Sequence, residues 1–266
     1  MPKIKDPIEK EAIKELKKKC KLKNKEFKID ENGYVSIIKL SNKFLTQIPE
    51  KIKDLPYLKK LILDYNQIKK IEGLGNLPEL KDLNLGSNQI TKIEGLNELK
   101  SLKILDLSYN QISKIEGLEN LSNLKRLFLL KNKITKIEGL DALINLDVLN
   151  LNNNHISKIE GLDTLNQLQN LRLSNNQIMK IEGLENLTQL DSLELSVNRI
   201  SRIEGLSTLL DLNKLFLSHN QITDIEGVNN LTQLEWLDLD FNPLAEEDQA
   251  HYKKGLKETI KYFQKK

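Results

Sequence analysis

Residues 58–79 read LKKLILDYNQIKKIEGLGNLPE, and this stretch returns down the chain with its spacing intact. Its tetrapeptide Ile71-Glu72-Gly73-Leu74 recurs at 93–96, 115–118, 137–140, 159–162, 181–184 and 203–206, and once more as Ile225-Glu226-Gly227-Val228. Each step is 22 residues, with no insertion or deletion. The aliphatic frame of the first unit is Leu58, Leu61, Leu63, Ile68, Ile71, Leu74 and Leu77. Units with the same frame start at Leu80, Leu102, Leu124, Leu146, Leu168, Leu190 and Leu212, and a partial unit runs from Leu234 to Leu244. One such unit cannot bury its apolar side alone, so the period predicts coils that stack into one continuous core.

Within a unit, Leu61 and Leu63 alternate with Lys60, Ile62 and Asp64. Alternation with period two predicts a short strand with its leucines inward. One strand per coil, all in the same direction, stacks into a parallel sheet at about 4.8 Å spacing. The other side of the coil carries Ile68, Ile71, Leu74 and Leu77 at spacing three, which predicts 3₁₀-like or extended chain rather than long helices. The fold class is therefore an α/β solenoid with a parallel sheet on its concave face and short 3₁₀ or extended segments on the convex one. Helical caps close both ends of the expected right-handed arc.

Asn66, Asn88, Asn110, Asn132, Asn154, Asn176, Asn198, Asn220 and Asn242 form a column where each coil leaves its strand. A buried turn leaves backbone N–H and C=O groups that need partners, and an amide can serve both. The column reads as a structural ladder, not as a repeated active site. The glycines from Gly73 to Gly227 mark a positive φ or a close backbone approach. Lys70, Lys92, Lys114, Lys136, Lys158, Lys180 and Arg202 sit two residues before Glu72, Glu94, Glu116, Glu138, Glu160, Glu182 and Glu204. The two rows offset each other's like-charge repulsion. The basic row breaks at Asp224.

Open solenoids need specialised ends. Residues 1–34 read as an N-terminal cap. Asp6-Pro7 starts a helix with Glu9 at its third position, and Ile8, Ala12, Ile13, Leu16 and Cys20 share one face. Phe27–Ile29 and Tyr34–Ile37, joined through Asn32-Gly33, predict a short hairpin. The repeats occupy 35–244. The first coil is degenerate, with Val35, Ile38, Leu40, Leu45, Ile48, Ile52 and Leu55 in the frame and Lys43 at the ladder position. Residues 245–266 form the C-terminal cap, in which Tyr252, Leu256, Ile260 and Phe263 predict a helical stripe. The whole is expected to be a single continuous domain.

With 41 basic against 38 acidic residues, the chain has no global attraction to nucleic acid or membrane. The ends are basic, with eleven lysines against seven acids in 1–31 and six against four in 245–266. These residues read as solvated helix faces, with a phosphate or lipid contact as the sharper alternative. One cysteine, Cys20, excludes an internal disulfide and belongs to the packed helix face. No apolar leader or membrane-length apolar run is visible, which leads to the expectation of a reducing, cytoplasmic setting. His155, His219 and His251 are scattered, and neither a nucleophile–base grouping, nor a metal site, nor a phosphate loop is present. The expectation is a non-enzyme without metal or cofactor.

The frame Leu-x-x-Leu-x-Leu-x-x-Asn-x-Ile-x-x-Ile-x-Gly-Leu resembles the 22-residue subfamily of leucine-rich repeats, the group that includes the leucine-rich-repeat regulatory subunit of protein phosphatase 1. The resemblance covers about residues 35–244 and the Asn242-Pro243-Leu244…Tyr252 segment, which is similar to that family's C-terminal cap. It implies a non-catalytic scaffold that grips a protein through acidic and aromatic residues at the fifth position of the repeat. That column reads Ile62, Asn84, Asp106, Phe128, Asn150, Arg172, Glu194, Phe216, Asp238, with Asn150 and Arg172 interrupting the acidic–aromatic alternation. The partner this resemblance implies is a phosphatase catalytic subunit; a small GTPase or another signalling protein is the alternative for such a scaffold, and the sequence does not choose between them.

Because packing dictates the frame, information about a partner lies in the remaining strand positions. Ile104, Tyr109, Phe128, Leu130 and Val148, from three consecutive repeats, form one candidate group, with Asp106, Arg126 and Lys131 around them. A second group is Phe216, Trp236 and Phe241, beside Lys214, Asp238 and Asp240, and Arg172 and Glu194 complete the candidate face. Phe241 is expected either to join this group or to pack beneath the C-terminal helix. Aromatic residues and arginine in one patch are what protein interfaces use as anchors. Mixed charge signs suit a protein partner, whereas a phosphate-binding surface is one-signed.

Overall fold

The computed structural model describes residues 3–256 and 259. The chain forms two compact units, Met1–Lys133 and Ile134–Lys266, each a run of stacked solenoid coils.

The first unit begins with helix α1 (Pro7–Cys20). Asp6 caps it: its carboxylate accepts from the Ile8 and Glu9 N–H groups at 2.6 and 3.1 Å. Ala12, Ile13, Leu16 and Cys20 are buried as their spacing predicts, but Ile8 is 63% exposed. Glu9 takes its place inside, because its Oε2 accepts the Val35 N–H at 2.8 Å and ties the helix to the first coil. Its Oε1 is buried without a partner. Burial pushes the Glu9 carboxyl above the usual carboxylate range; the Val35 N–H works against this, and the neighbouring Asp6 and Asp30 add to it. Burial also pushes the Cys20 thiol upward, which makes it a packed group rather than a nucleophile.

Strands β1 (Phe27–Ile29) and β2 (Val35–Lys39) pair antiparallel. Their turn is held by Asp30, whose Oδ1 accepts from Asn32 and Tyr34 N–H, both at 3.0 Å. From β2 onward the pairing is parallel: β3 (Lys60–Ile62), β4 (Asp82–Asn84), β5 (Ile104–Asp106) and β6 (Arg126–Phe128) follow in chain order. In the first coil Lys43, which stands at the ladder position, reaches the Glu26 carboxylate and the Lys21 carbonyl instead.

The second unit continues the pattern with β7 (Val148–Asn150), β8 (Asn170–Arg172), β9 (Ser192–Glu194), β10 (Lys214–Phe216) and β11 (Trp236–Asp238), also parallel and in order. Helix α2 (Glu246–Tyr252) follows. In earlier coils the N–H at Leu217 donates to the next strand, at Asp238 O. Among the described residues no strand follows β11, and the Leu239 N–H donates to the Tyr252 hydroxyl at 3.0 Å, while that hydroxyl donates to Asp240 at 3.2 Å. The expected stripe through Leu256 is not one helix, because α2 ends at Tyr252 and Gly255 turns with φ +98°. Ile260 and Phe263 lie outside the described residues.

Each ladder amide works on two coils. Asn110 donates through Nδ2 to Leu107 O in its own coil and Leu85 O in the preceding one, both at 3.0 Å, and accepts the Ile90 N–H at 2.9 Å. Asn198 does the same with Leu195 O, Leu173 O and Ile178 N–H, all at 3.0 Å. The far side of the coils is built from consecutive tight turns, such as Leu99 N–H to Leu96 O and Leu102 N–H to Leu99 O. True 3₁₀ helix appears on it at Glu50–Asp54 and Glu226–Val228. Both readings of the glycine column hold at once at Gly95, Gly117, Gly161, Gly183 and Gly205, whereas Gly73 has only the positive φ and Gly227 only the close approach. Gly117 has φ +69°, and a Cβ there would lie 2.5 Å from the Ile93 carbonyl of the preceding coil. The break at Asp224 coincides with the second 3₁₀ segment: its carboxylate accepts the Glu226 N–H, a local role that lysine cannot fill.

Candidate protein-binding face

A strand of three residues buries its middle leucine and turns its two neighbours outward. In the first unit the outward pairs are in register. Ile104 lies beside Arg126, and Asp106 beside Phe128. Tyr109, Leu130 and Lys131 follow on the same coils, and the Lys131 ammonium stands 5.2 Å from the centre of the Tyr109 ring. Ile104, Asp106, Phe128 and Leu130 are half-buried, whereas Arg126, Tyr109 and Lys131 are exposed.

In the second unit Arg172, Glu194, Phe216 and Asp238 form one continuous row across β8 to β11. Arg172 Nε pairs with Glu194 at 3.3 Å, and Asn152 donates to the other Glu194 oxygen at 3.2 Å. Trp236 is 57% exposed, its ring 6.4 Å from that of Phe216. Phe241 does not pack beneath α2: it is 75% exposed and stacks on His219, with ring centres 4.2 Å apart. Val148 is half-buried in this unit, next to the buried Asn150.

The acidic residues of the fifth position have local duties. Asp106 accepts the Ser108 N–H at 2.9 Å and Asp238 accepts the Asp240 N–H at 3.1 Å, the same bond that Asn84 and Asn150 make to residues 86 and 152. Each closes the strand end through its own backbone. The aromatic side chains are thus freer for a partner than the carboxylates.

One column escapes composition and hydropathy altogether. The residue before each ladder asparagine is left-handed: Tyr65, Ser87, Tyr109 and Lys131 in the first unit, and Asn153, Asn175, Val197, His219 and Phe241 in the second, with φ between 54° and 58°. The ladder dictates this backbone, so the side chain is free to vary and projects outward. Tyr65, 66% exposed, belongs to this column and joins the candidate face of the first unit. Its signal in the sequence is position alone, one residue before the asparagine.

Among the described residues, no group of His, Cys, Asp and Glu could hold a metal ion, and no helix is long and apolar enough to cross a membrane. Two family profiles match the chain. One, Leucine Rich repeats (2 copies), matches residues 56–98, 100–142 and 122–164, and the other, Leucine-rich repeat, matches residues 149–264. Neither describes a catalytic family. No curated protein sequence matches. Among solved structures, an internalin (inlF) from Listeria monocytogenes is similar, with a TM-score of 0.64 at 28% identity over 91% of this chain and 79% of that one. An internalin C2 from the same organism gives 0.57 at 28% identity, over 91% of this chain and 94% of that one. A plant ice-binding protein shares the fold, with a TM-score of 0.70 at 24% identity over 90% of this chain and 88% of that one.

Proposed function

We propose, from the premise that this chain is a leucine-rich-repeat protein, that it is a non-catalytic scaffold which holds a protein partner on its strand face. The observation that carries this reading is the aromatic set of the second unit. Trp236, Phe216, Phe241 and His219 lie on two consecutive coils at one end of a parallel sheet, with Trp236 and Phe241 largely in solvent. Large apolar rings left in water form anchors for a partner once they are desolvated. The set in the first unit, Tyr65, Ile104, Tyr109, Phe128, Arg126 and Lys131, adds an aliphatic residue and two cations to its rings. The narrower partner class is a phosphatase catalytic subunit, supported by the acidic–aromatic neighbours Asp106 with Phe128 and Glu194 with Phe216, with a small GTPase as the alternative.

The test is affinity capture from the native cell with mass spectrometry, using the full chain and its Phe128→Ala/Trp236→Ala variant. The partner is expected to be lost from the variant while its melting transition stays near that of the parent. A partner retained in full by the folded variant sinks the reading, and the identity of the captured protein decides between phosphatase and GTPase.

A further inference from the structure

The chain contains two kinds of lysine row, and they differ in how far carboxylates pair them. On the flank, Lys92 and Lys114 both meet Glu116, each at 3.8 Å, in the first unit. Lys136, Lys158 and Lys180 meet Glu138, Glu160, Glu182 and Glu204 at 3.6–3.9 Å in the second. At the residues that precede β3, β4, β5 and β6 stand Lys59, Lys81, Lys103 and Lys125. Their backbones are successive rungs: Lys81 N–H donates to Lys59 O, Lys103 to Lys81, and Lys125 to Lys103, at 2.9, 2.9 and 2.8 Å. Lys59 lies 3.7 Å from Asp30, but among the described residues Lys81, Lys103 and Lys125 pair with no carboxylate, and all three are exposed. The nearby Asp82 is taken by Lys60. Like charges on adjacent rungs oppose folding. The same position in the second unit holds Asp147, Gln169, Asp191, Asn213 and Glu235, so the frame does not require lysine there.

We propose that this row receives an acidic, extended segment of the bound protein, whose apolar side chains rest on Ile104 and Phe128 beside it. This rests on the scaffold reading above and adds the chemistry of the partner. A peptide is favoured over a phosphate polymer because the same strands carry Asp106, which would repel a uniform chain of phosphates but can be straddled by a segment that alternates acidic and apolar residues.

The experiment measures the fluorescence anisotropy of a labelled peptide of alternating glutamate and leucine against the full chain. It also uses a Lys81→Gln/Lys103→Gln/Lys125→Gln variant and, as a control, Lys92→Gln/Lys114→Gln. The row variant is expected to lose roughly tenfold or more in affinity and the control to stay within about twofold, with binding to the parent falling as salt rises. The row variant should melt no lower than the parent, because like-charge repulsion has been relieved. No binding by the parent, equal binding by the row variant, or an equal loss in the control overturns the inference. So does tighter binding of a single-stranded oligonucleotide or of phosphatidylserine vesicles than of the peptide. If these results come with partner capture that still depends on Phe128 and Trp236, the inference fails and the scaffold reading stands.

Discussion

Ile104 and Leu105 are adjacent aliphatic residues on β5, yet the fold treats them in opposite ways. Leu105 is fully buried and is matched by leucine in the paired strands on either side, at Leu83 and Leu127. Ile104 is half-exposed, and its counterparts on those strands are Asp82 and Arg126. One side of the coil is dictated by stacking, and the other is left open to a partner. The contrast teaches that the repeated residues carry the architecture, while the varied ones carry whatever distinguishes this chain from another with the same frame.

The sharpest way to break this contrast is to truncate both neighbours. Leu105→Ala should cost about 2–5 kcal/mol in urea unfolding, the usual price of a buried leucine cavity, and Ile104→Ala much less. Comparable losses for the two would erase the distinction. Next comes Gly117→Ala, which combines a left-handed backbone with a Cβ driven against the Ile93 carbonyl. A loss of about 2 kcal/mol or more is expected by the same measurement, and a neutral result would mean that neighbouring coils can separate freely. The effect of Val197→Asn runs the other way. A β-branched residue is poorly suited to φ 57°, and Asn153 and Asn175 occupy the corresponding places in the two preceding coils. A gain of about 1 kcal/mol is expected, and a loss would show that Val197 is packed rather than merely tolerated.

The pH dependence of Glu9 sharpens the comparison at the cap, where a carboxylate has entered the side reserved for leucine. Its folded pKa is raised, so the folded state holds the proton more tightly than the unfolded chain. The associated stability is present below the unfolded value and is lost as pH rises through the folded one. Glu9→Gln should therefore remove a decline in stability that the parent shows on going upward through that window. Parallel curves for parent and variant would rule out the shift.

The frame was legible because stacking repeats one spacing, and any window of 22 residues between Leu58 and Gln233 contains all of it. The ends were less so. Ile8 and Glu9 sit on neighbouring helix positions, and hydropathy favours the isoleucine; what reverses the choice is a hydrogen bond to Val35, which is 26 positions away. The left-handed column was hidden because its conformation belongs to the turn and not to the residue that fills it, so that tyrosine, serine, lysine, asparagine, valine, histidine and phenylalanine all occupy it. Phe241 could be placed among the aromatic residues by position, but its stack on His219 depends on how two outward side chains of adjacent coils meet. Asp106 and Asp238 stand out in the sequence as acidic residues facing a partner, yet each also closes its own strand end, a bond that composition does not reveal.

The most direct measurement is hydroxyl-radical footprinting of the chain alone and with its captured partner. Exposed apolar side chains off the strand face, Ile144, Met179 and Leu210, serve as internal controls. Protection of Trp236, Phe241, Phe128 and Tyr109 with unchanged labelling of the three controls is the predicted result. Protection of Met179 and Leu210 with none at Trp236 or Phe128 would contradict it.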